Sequence, residues 1–322
     1  DASTRAYKNL ANAVLRRIAA GKARAAFDGA DPLADLPGWL AERWVAGYGE
    51  EIARAMARAR SGPPPLDLTV KPGVDAAALA EALGAEILPT GTVRRAAIGA
   101  VEALPGFEAG DWWVQDAAAA LPVQLLKPQA GETIADLCAA PGGKTMQLAA
   151  AGANTIAVEA SAKRLKRVAA NLERTGLTAA LVAVDAIHWR PDAPLDAVLL
   201  DAPCTATGTL RRRPDTAFAK QDGDVGNLSK IQDALLDAAA DRVKPGGRIV
   251  YCTCSLEREE GEDRIAAVLA RREDMHLDPV QADETPGLAE ALTEEGAVRT
   301  RPDFWAERGG LDGFYMARLI KA

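Results

Sequence analysis

The sequence predicts an α/β protein built on a doubly wound, mostly parallel sheet, preceded by a small α+β domain and a helical segment. Two patterns carry this prediction. Beyond Gln115, short apolar segments alternate regularly with amphipathic helical segments, which is typical of a parallel sheet covered by helices on both faces. The first of these apolar segments also runs into a glycine-rich turn followed by a helix, an arrangement that often binds ligands.

The strands and helices of the sheet follow from hydrophobic periodicity. The helix that begins after Ser161 is the clearest example, because Ser161 is a good N-cap and Leu165, Val168 and Leu172 lie on one helical face. The predicted strands are Thr133–Leu137, Thr155–Glu159, Leu181–Val184, Leu195–Asp201 and Arg248–Thr253, and the predicted helices are 144–151, 161–175 and 228–242.

Residues 1–60 are predicted to be a helical segment. Apolar residues recur at helical spacing between 6 and 20, which predicts a helix with one buried stripe. Residues 36–60 fit two more short helices. The stripe of the first helix comprises Tyr7, Leu10, Ala11, Val14 and Ile18.

Residues 61–125 are predicted to form the small α+β domain, and residues 126–322 the main α/β domain. The Ser-Gly-Pro-Pro-Pro sequence at 61–65 breaks the helical pattern and indicates a linker. Two strand-like segments, Leu66–Val70 and Glu86–Leu88, then flank an alanine-rich helix near 75–83.

Composition narrows the class of protein. No apolar run approaches the roughly 20 residues that span a bilayer, and no signal-peptide pattern occurs at the start. We therefore expect a cytoplasmic protein with no membrane contact, and no obligate protein partner is evident. The net charge of −7 is concentrated in residues 257–295, so the remainder of the chain is compatible with a nucleic-acid partner.

The chain has four cysteines, too few for a disulfide scaffold of this length, and two histidines. The scarcity of histidine disfavours Ser-His and Cys-His catalytic pairs. The cysteines lack the paired C-x₂₋₄-C spacing of zinc sites, so no metal site is predicted.

The glycine-rich turn at 136–145 reads DLCAAPGGKT. A phosphate-binding P-loop needs a glycine where Cys138 stands, and the dinucleotide pattern G-x-G-x-x-G is absent. Carboxylates instead stand at the ends of three successive strands, at Asp136, Glu159 and Asp185. Acids at strand ends favour S-adenosyl-L-methionine, because this cofactor carries a sulfonium and an amino group but no phosphate.

Two cysteines follow strands whose carboxyl ends meet at the ligand-binding edge of the sheet. Cys204 comes after the strand ending at Asp201, and Cys254 after the strand ending at Thr253. A thiolate that adds to carbon 6 of cytosine makes carbon 5 nucleophilic enough to accept a methyl group. A carboxyl group near the ring nitrogen N3, for which Asp201 is suited, would assist the addition. The chemistry leaves both thiols open as the nucleophile, and Cys252 is interpreted as a small buried residue.

These segments together resemble the Nop/Sun family of RNA cytosine-5 methyltransferases, in particular the bacterial branch (Sun or RsmB type) that modifies small-subunit ribosomal RNA. The resemblance covers nearly the whole chain. It rests on Val114–Asp116, Asp136–Thr145, Asp201–Gly208 with Arg211–Asp215, Tyr251–Leu256 and Asp312–Tyr315.

The resemblance implies a Rossmann-like methyltransferase sheet and a role for each matching residue. It implies that Cys254 is the nucleophile, that Cys204 aids product release, and that Lys144 faces the target base. The segment near Asn9–Arg17 resembles the tail of a NusB-like RNA-binding domain, and 61–125 the family's small RNA-contacting domain. We add Arg164 to the cofactor contacts that the resemblance implies. The predicted cofactor contacts are then Cys138, Ala139, Ala140, Pro141, Gly142, Gly143, Lys144, Glu159, Arg164, Asp185 and Asp201.

The chain departs from the family pattern at a few positions. Glu159 stands where aspartate is usual, and Arg258 and Gly261 stand where the family commonly has proline and asparagine. Cys252 is an additional thiol two residues from Cys254.

Two alternatives stay open. A DNA cytosine-5 methyltransferase would place its nucleophile in a Pro-Cys motif such as Pro203-Cys204. A non-catalytic ribosome-assembly factor would keep the fold for binding alone. Separately from these alternatives, the basic residues Arg211, Arg212 and Arg213 are predicted to contact RNA phosphates.

Overall fold

The computed structural model describes residues 2–22, 30–96 and 99–322. Residue 1 and residues 23–29 of the predicted helical segment lie outside the described residues, as do residues 97–98 of the predicted small domain. Among the described residues, no helix combines the length and the apolar composition that a membrane span requires.

Among the described residues, the α-helices before the first sheet are α1 (Lys8–Arg17), α2 (Gly38–Tyr48) and α3 (Glu50–Arg58). The predicted helix is present as α1, but its apolar stripe is not buried. Leu10 is 63% exposed and Val14 is 47% exposed. The expectation of a buried stripe is therefore corrected, because no other described element covers this face.

Helices α2 and α3 pack against loops of the main sheet. Leu40, Trp44 and Met56 form one buried cluster with Leu210 and Leu256. The hydroxyl of Tyr48 also donates to the carbonyl of Leu256 at 2.6 Å. These helices thereby anchor the two loops that follow the cysteine-bearing strands.

The small sheet has the antiparallel order β2-β3-β1-β4. Its core includes Leu68, Val93 and Trp112, packed against helix α4 (Ala76–Leu83). The strands are β1 (Leu66–Val70), β2 (Glu86–Ile87), β3 (Val93–Arg95) and β4 (Trp112–Val114).

The main sheet has the order β10-β12-β9-β8-β5-β6-β7, and its central pairs from β9 to β7 are parallel. Strand β12 runs antiparallel between β9 and β10, with β11 paired to it. The strands are β5 (Thr133–Leu137), β6 (Asn154–Val158), β7 (Ala180–Val182), β8 (Leu195–Asp201), β9 (Val243–Thr253), β10 (Met275–Leu277), β11 (Val298–Arg299) and β12 (Tyr315–Lys321).

The helices associated with this sheet bury apolar faces on it. The sheet core includes Leu137, Val198 and Ile249. The helices are α5 (Ala117–Leu126), α6 (Gly143–Ala150), α7 (Ala162–Thr175), α8 (Asp222–Arg242) and α9 (Glu262–Arg271). The predicted α/β class is confirmed, with β10 to β12 added as an antiparallel edge.

Helix α5 packs with the main sheet, since Leu121 and Leu125 share a buried cluster with Ile134 and Val250. The predicted domain boundaries at 60 and 125 stay predictions, and the second falls at the end of this helix.

The sheet order brings three loops to one edge, because β9, β8 and β5 are adjacent and parallel. The backbone N–H of Gly208 donates to the carbonyl of Cys254 at 3.0 Å, and the N–H of Gly313 donates to the carbonyl of Gly208 at 2.8 Å. A Cβ atom at Gly208 would lie 2.0 Å from the Gly313 oxygen, so only glycine fits this crossing.

Candidate active site

The two predicted cysteines lie side by side. Cys204 follows β8 and Cys254 follows β9, and their sulfur atoms are 3.5 Å apart. Both thiols are free and half-buried. The contact with Cys254, followed by burial, raises the pKa of Cys204 well above its ordinary value. Cys204 therefore keeps its proton and can donate a hydrogen bond to a thiolate at Cys254.

An ion pair between a buried lysine and a half-buried aspartate lies at the same edge of the sheet. The ammonium of Lys144, in the first turn of α6, is 2.8 Å from Oδ2 of Asp201 and lies 5.2 Å from the centre of the Phe314 ring. Burial lowers the pKa of Lys144, but the charge of Asp201 outweighs it, so the net pKa is raised and Lys144 stays protonated.

Cys252 occupies the position expected of a small buried residue. Its side chain is fully buried, and its sulfur contacts Oδ1 of Asp201 at 3.6 Å. Burial, together with the charge of Asp201, raises its pKa well above the ordinary value. The thiol of Cys252 is therefore protonated at neutral pH.

The glycine-rich turn places polar groups around the start of α6. Cys138 has a φ of 64° and Gly142 a φ of 105°, so the backbone turns sharply twice within five residues. The hydroxyl of Thr145 donates to Oδ2 of Asp136 at 2.5 Å, whereas Oδ1 of Asp136 is buried without a hydrogen-bond partner. Burial raises the pKa of Asp136 to about 7.

A cavity of about 310 Å³ opens beside this turn. Lys144 and Asp201 line it together with Asp136 and, from the small sheet, Trp113. Of the other predicted cofactor contacts, Ala139, Pro141 and Gly143 also line it.

Glu159 and Arg164, two further predicted cofactor contacts, hold the turn at Ala140. Glu159 is buried after β6 and accepts hydrogen bonds from the backbone N–H of Ser161 at 2.9 Å and of Ala140 at 3.4 Å. Arg164 donates to the carbonyl of Ala140 at 2.9 Å and is 3.4 Å from Glu159.

Asp185 does not end its strand as predicted. Strand β7 stops at Val182, and Asp185 lies three residues further, where its Oδ1 accepts from the N–H of Ile187 at 2.9 Å. Its side chain is exposed. Asp185 therefore lies in the loop after β7 and not at the strand end that the sequence predicted, because the strand stops earlier.

The arginine cluster requires a larger correction. The guanidinium of Arg211 is completely buried and pairs with Asp116 at 2.7 Å and Asp312 at 3.3 Å, so it cannot reach an RNA phosphate. Arg212 is also mostly buried and contacts Asp116 at 2.5 Å. Only Arg213 is exposed. The first two arginines join the loop that follows Cys204 to the N-cap of α5, Asp116, and to Asp312 in the segment before β12.

Several site residues were not assigned a role from the sequence. Phe314 beneath Lys144, and Phe107 and Arg174 at the cavity wall, come from segments far apart in the chain. Asp116 and Asp312 belong to motifs that carried the family resemblance, which is the one sequence signal that could have indicated them.

Comparisons with known proteins place these features in a family. The model of the family described as 16S rRNA methyltransferase RsmB/F matches residues 123–320. Ribosomal RNA small subunit methyltransferase B of Cronobacter sakazakii is 38% identical over 330 residues, covering 98% of this chain and 73% of the relative. The Citrobacter koseri protein of the same name is 43% identical over 226 residues, covering 69% of this chain and 50% of the relative.

Solved structures agree on the fold. A methyltransferase homolog from Pyrococcus horikoshii has a TM-score of 0.75 and 28% identity, covering 91% of this chain and 98% of its own. NSun6 from Pyrococcus horikoshii, solved with SFG, has a TM-score of 0.78 and 20% identity, covering 90% of this chain and 99% of its own.

The fold and the residues around the glycine-rich turn define a Rossmann-like methyltransferase that uses S-adenosyl-L-methionine. Acidic groups surround this turn, and the unpartnered oxygen of Asp136 fits a cationic ligand rather than a phosphate. The chain belongs to the RsmB/F family of 16S rRNA methyltransferases. The resemblance to the Sun or RsmB branch is thereby confirmed.

Proposed function

We propose that this protein methylates carbon 5 of a cytosine in RNA of the small ribosomal subunit, through a covalent adduct at Cys254, in the cytoplasm. The observation that carries the proposal is the pair of thiols 3.5 Å apart at the sheet edge that also holds the Lys144–Asp201 ion pair. A nucleophile, a hydrogen-bond donor and a fixed charge are the groups that covalent activation of a pyrimidine requires.

Addition to the ring would begin at Cys254. Its thiolate forms a bond to carbon 6 of cytosine, and the displaced electrons move toward N3 and make carbon 5 nucleophilic. The sulfur of Cys204 lies 3.5 Å from that of Cys254, and the raised pKa of Cys204 leaves it a proton that it can donate toward the Cys254 sulfur.

The Lys144–Asp201 pair would stabilise the charge that develops on the ring. Asp201 holds the ammonium of Lys144 at 2.8 Å, and Lys144 has further N–H donors for the ring. The expected assistance of Asp201 at the ring nitrogen N3 would pass through the ammonium of Lys144 that it holds.

The cofactor would be held by the turn at 138–144 with Glu159, Arg164 and Asp201, and by Asp185 from the exposed loop after β7. When bound, S-adenosyl-L-methionine supplies the methyl group that carbon 5 takes up. Release then requires that a base, such as water, removes the carbon-5 proton and that Cys254 leaves as a thiolate. The S–H of Cys204 is placed to stabilise that departing sulfur.

The RNA contact is proposed for Arg213. Replacing it with alanine should weaken RNA binding for all sequences and flatten the plot of log affinity against log salt by about 0.7–0.9, the value for one phosphate contact. Lys166→Ala, which removes an exposed charge on α7, should leave the slope unchanged. Filter binding between 50 and 200 mM salt measures both, and an unchanged slope for Arg213→Ala would exclude the contact.

Product analysis tests the proposed reaction. Unmodified small-subunit ribosomal RNA is incubated with the protein and isotopically labelled S-adenosyl-L-methionine, then digested to nucleosides for mass spectrometry. We expect labelled 5-methylcytidine, and none with Cys254→Ala. Label in another nucleoside would contradict the proposal. Transfer of the label to DNA instead of RNA would favour a DNA cytosine-5 methyltransferase. Tight RNA binding without any methyl transfer would favour a non-catalytic ribosome-assembly factor.

A further inference from the structure

The carboxyl group of Glu260 is completely buried between the two cysteine loops. Both of its oxygens accept from the backbone N–H of Thr205, at 3.0 and 3.1 Å. The hydroxyl of Thr205 donates to the same group, and the side-chain amide of Gln232 donates to it at 3.0 Å. Thr205 is the residue directly after Cys204, so Glu260 fixes the Cys204 loop.

The backbone of Glu260 fixes the other loop. Its carbonyl accepts from the hydroxyl of Thr253 at 3.1 Å and from the hydroxyl of Tyr251 at 2.8 Å. Thr253 directly precedes Cys254. In addition, the hydroxyl of Thr205 lies 3.2 Å from that of Ser255, the residue directly after Cys254. Glu260 therefore connects the residue after Cys204 to the residue before Cys254.

The carboxyl group of Glu260 accepts hydrogen bonds on both oxygens. Its donors are the backbone N–H and the hydroxyl of Thr205 and the side-chain amide of Gln232. Among the ion pairs of the described residues, none neutralises Glu260. The titratable groups that face Cys204 are Cys254, Glu260 and Tyr251. After the contact with Cys254 and burial, the charge of Glu260 further raises the pKa of Cys204.

We propose that Glu260 is a positioning residue that holds the Cys204 loop against the Cys254 loop and, through its buried negative charge, keeps Cys204 protonated. Cys204 then serves as a hydrogen-bond donor to the sulfur of Cys254, and the two thiols are functionally distinct although they lie in similar surroundings. The catalytic use of this asymmetry rests on the proposed role of Cys254, but the asymmetry itself is a property of the free protein.

Alkylation of the free protein tests the inference without RNA or cofactor. The initial rates of iodoacetamide labelling at Cys204 and Cys254 are measured by peptide mass spectrometry between pH 6.5 and 10. In the unmodified protein, Cys254 should react faster than Cys204 at neutral pH. With Glu260→Gln, the Cys204 rate at pH 8 should rise about tenfold, because a nearby negative charge is lost.

Matched variants separate charge from packing. Glu257→Gln makes the same carboxyl-to-amide change at a buried residue of the same loop that does not contact Thr205, and should leave the Cys204 profile unchanged. Glu260→Asp keeps the charge and should retain the profile of the unmodified protein. If Glu260→Gln does not fold, labelling of the unmodified protein still tests the proposal. Faster labelling of Cys204 than of Cys254 at neutral pH would overturn it.

Turnover distinguishes this inference from the proposed function. Glu260→Gln should lower kcat at least tenfold and leave the KM for RNA nearly unchanged, since the residue lies beneath the thiols. An unchanged Cys204 profile in folded Glu260→Gln would overturn the inference. Absence of 5-methylcytidine in the unmodified protein, with the labelling difference intact, would overturn only the proposed function.

Discussion

Replacement of Asp201 with asparagine is expected to lower the rate of methyl transfer by about 10²–10³. Asp201 holds the buried ammonium of Lys144 at 2.8 Å and contacts Cys252, so its loss removes the anion that orients this cation. Loss of one preorganised charge or hydrogen-bond donor typically costs a factor of this size. Single-turnover methylation with saturating RNA measures the chemical step directly.

The paired replacement supplies the control for Asp201. Lys144→Met removes the cation itself, and the double variant Asp201→Asn with Lys144→Met leaves no unpaired buried charge. We expect the double variant to be more stable than Asp201→Asn alone and equally inactive. A rate within threefold of the unmodified protein for Asp201→Asn would contradict the role assigned to the ion pair.

Replacement of Arg211 with methionine is expected to lower the free energy of unfolding by about 3–5 kcal/mol, because it leaves the two buried carboxylates of Asp116 and Asp312 with one cation, Arg212, in place of two. Arg211 contacts Asp116 at 2.7 Å and Asp312 at 3.3 Å, and its Nη1 donates to the carbonyl of Gly309 at 2.7 Å. Urea unfolding followed by circular dichroism measures the change.

Arg213→Met is the matched control for Arg211, since it alters an exposed neighbour of the same type. Its effect on the free energy of unfolding should stay below about 0.5 kcal/mol. Equal effects of the two replacements would contradict the structural role of Arg211. In that case the original prediction that this residue contacts RNA would regain support.

The centre of the main sheet could be predicted from the sequence because its strands are continuous apolar segments ended by polar turns. β5 and β8 begin and end at the predicted residues. Helix α5 could not be predicted in this way. It is buried on nearly all sides and contains Pro122, so it has neither the amphipathic period nor the composition of a typical surface helix.

The cysteine pair could be located from strand order and motif, but the charge network around it could not. Arg211 lies 95 residues from Asp116 and 101 residues from Asp312, so no local pattern shows that these groups meet. A run of three arginines is usually exposed, which explains why the sequence favoured RNA contact. Glu260 likewise contacts Thr205, which lies 55 residues earlier in the chain, so no local pattern indicates this contact either.

The most direct test of the central claim is covalent trapping on RNA that contains 5-azacytosine, a base from which the nucleophile is not released. The peptide joined to RNA is identified by mass spectrometry in the unmodified protein, in Cys254→Ala and in Cys204→Ala. We expect the adduct on Cys254, its loss in Cys254→Ala, and its retention in Cys204→Ala. An adduct on Cys204 that persists in Cys254→Ala would contradict the assignment of Cys254 as the nucleophile.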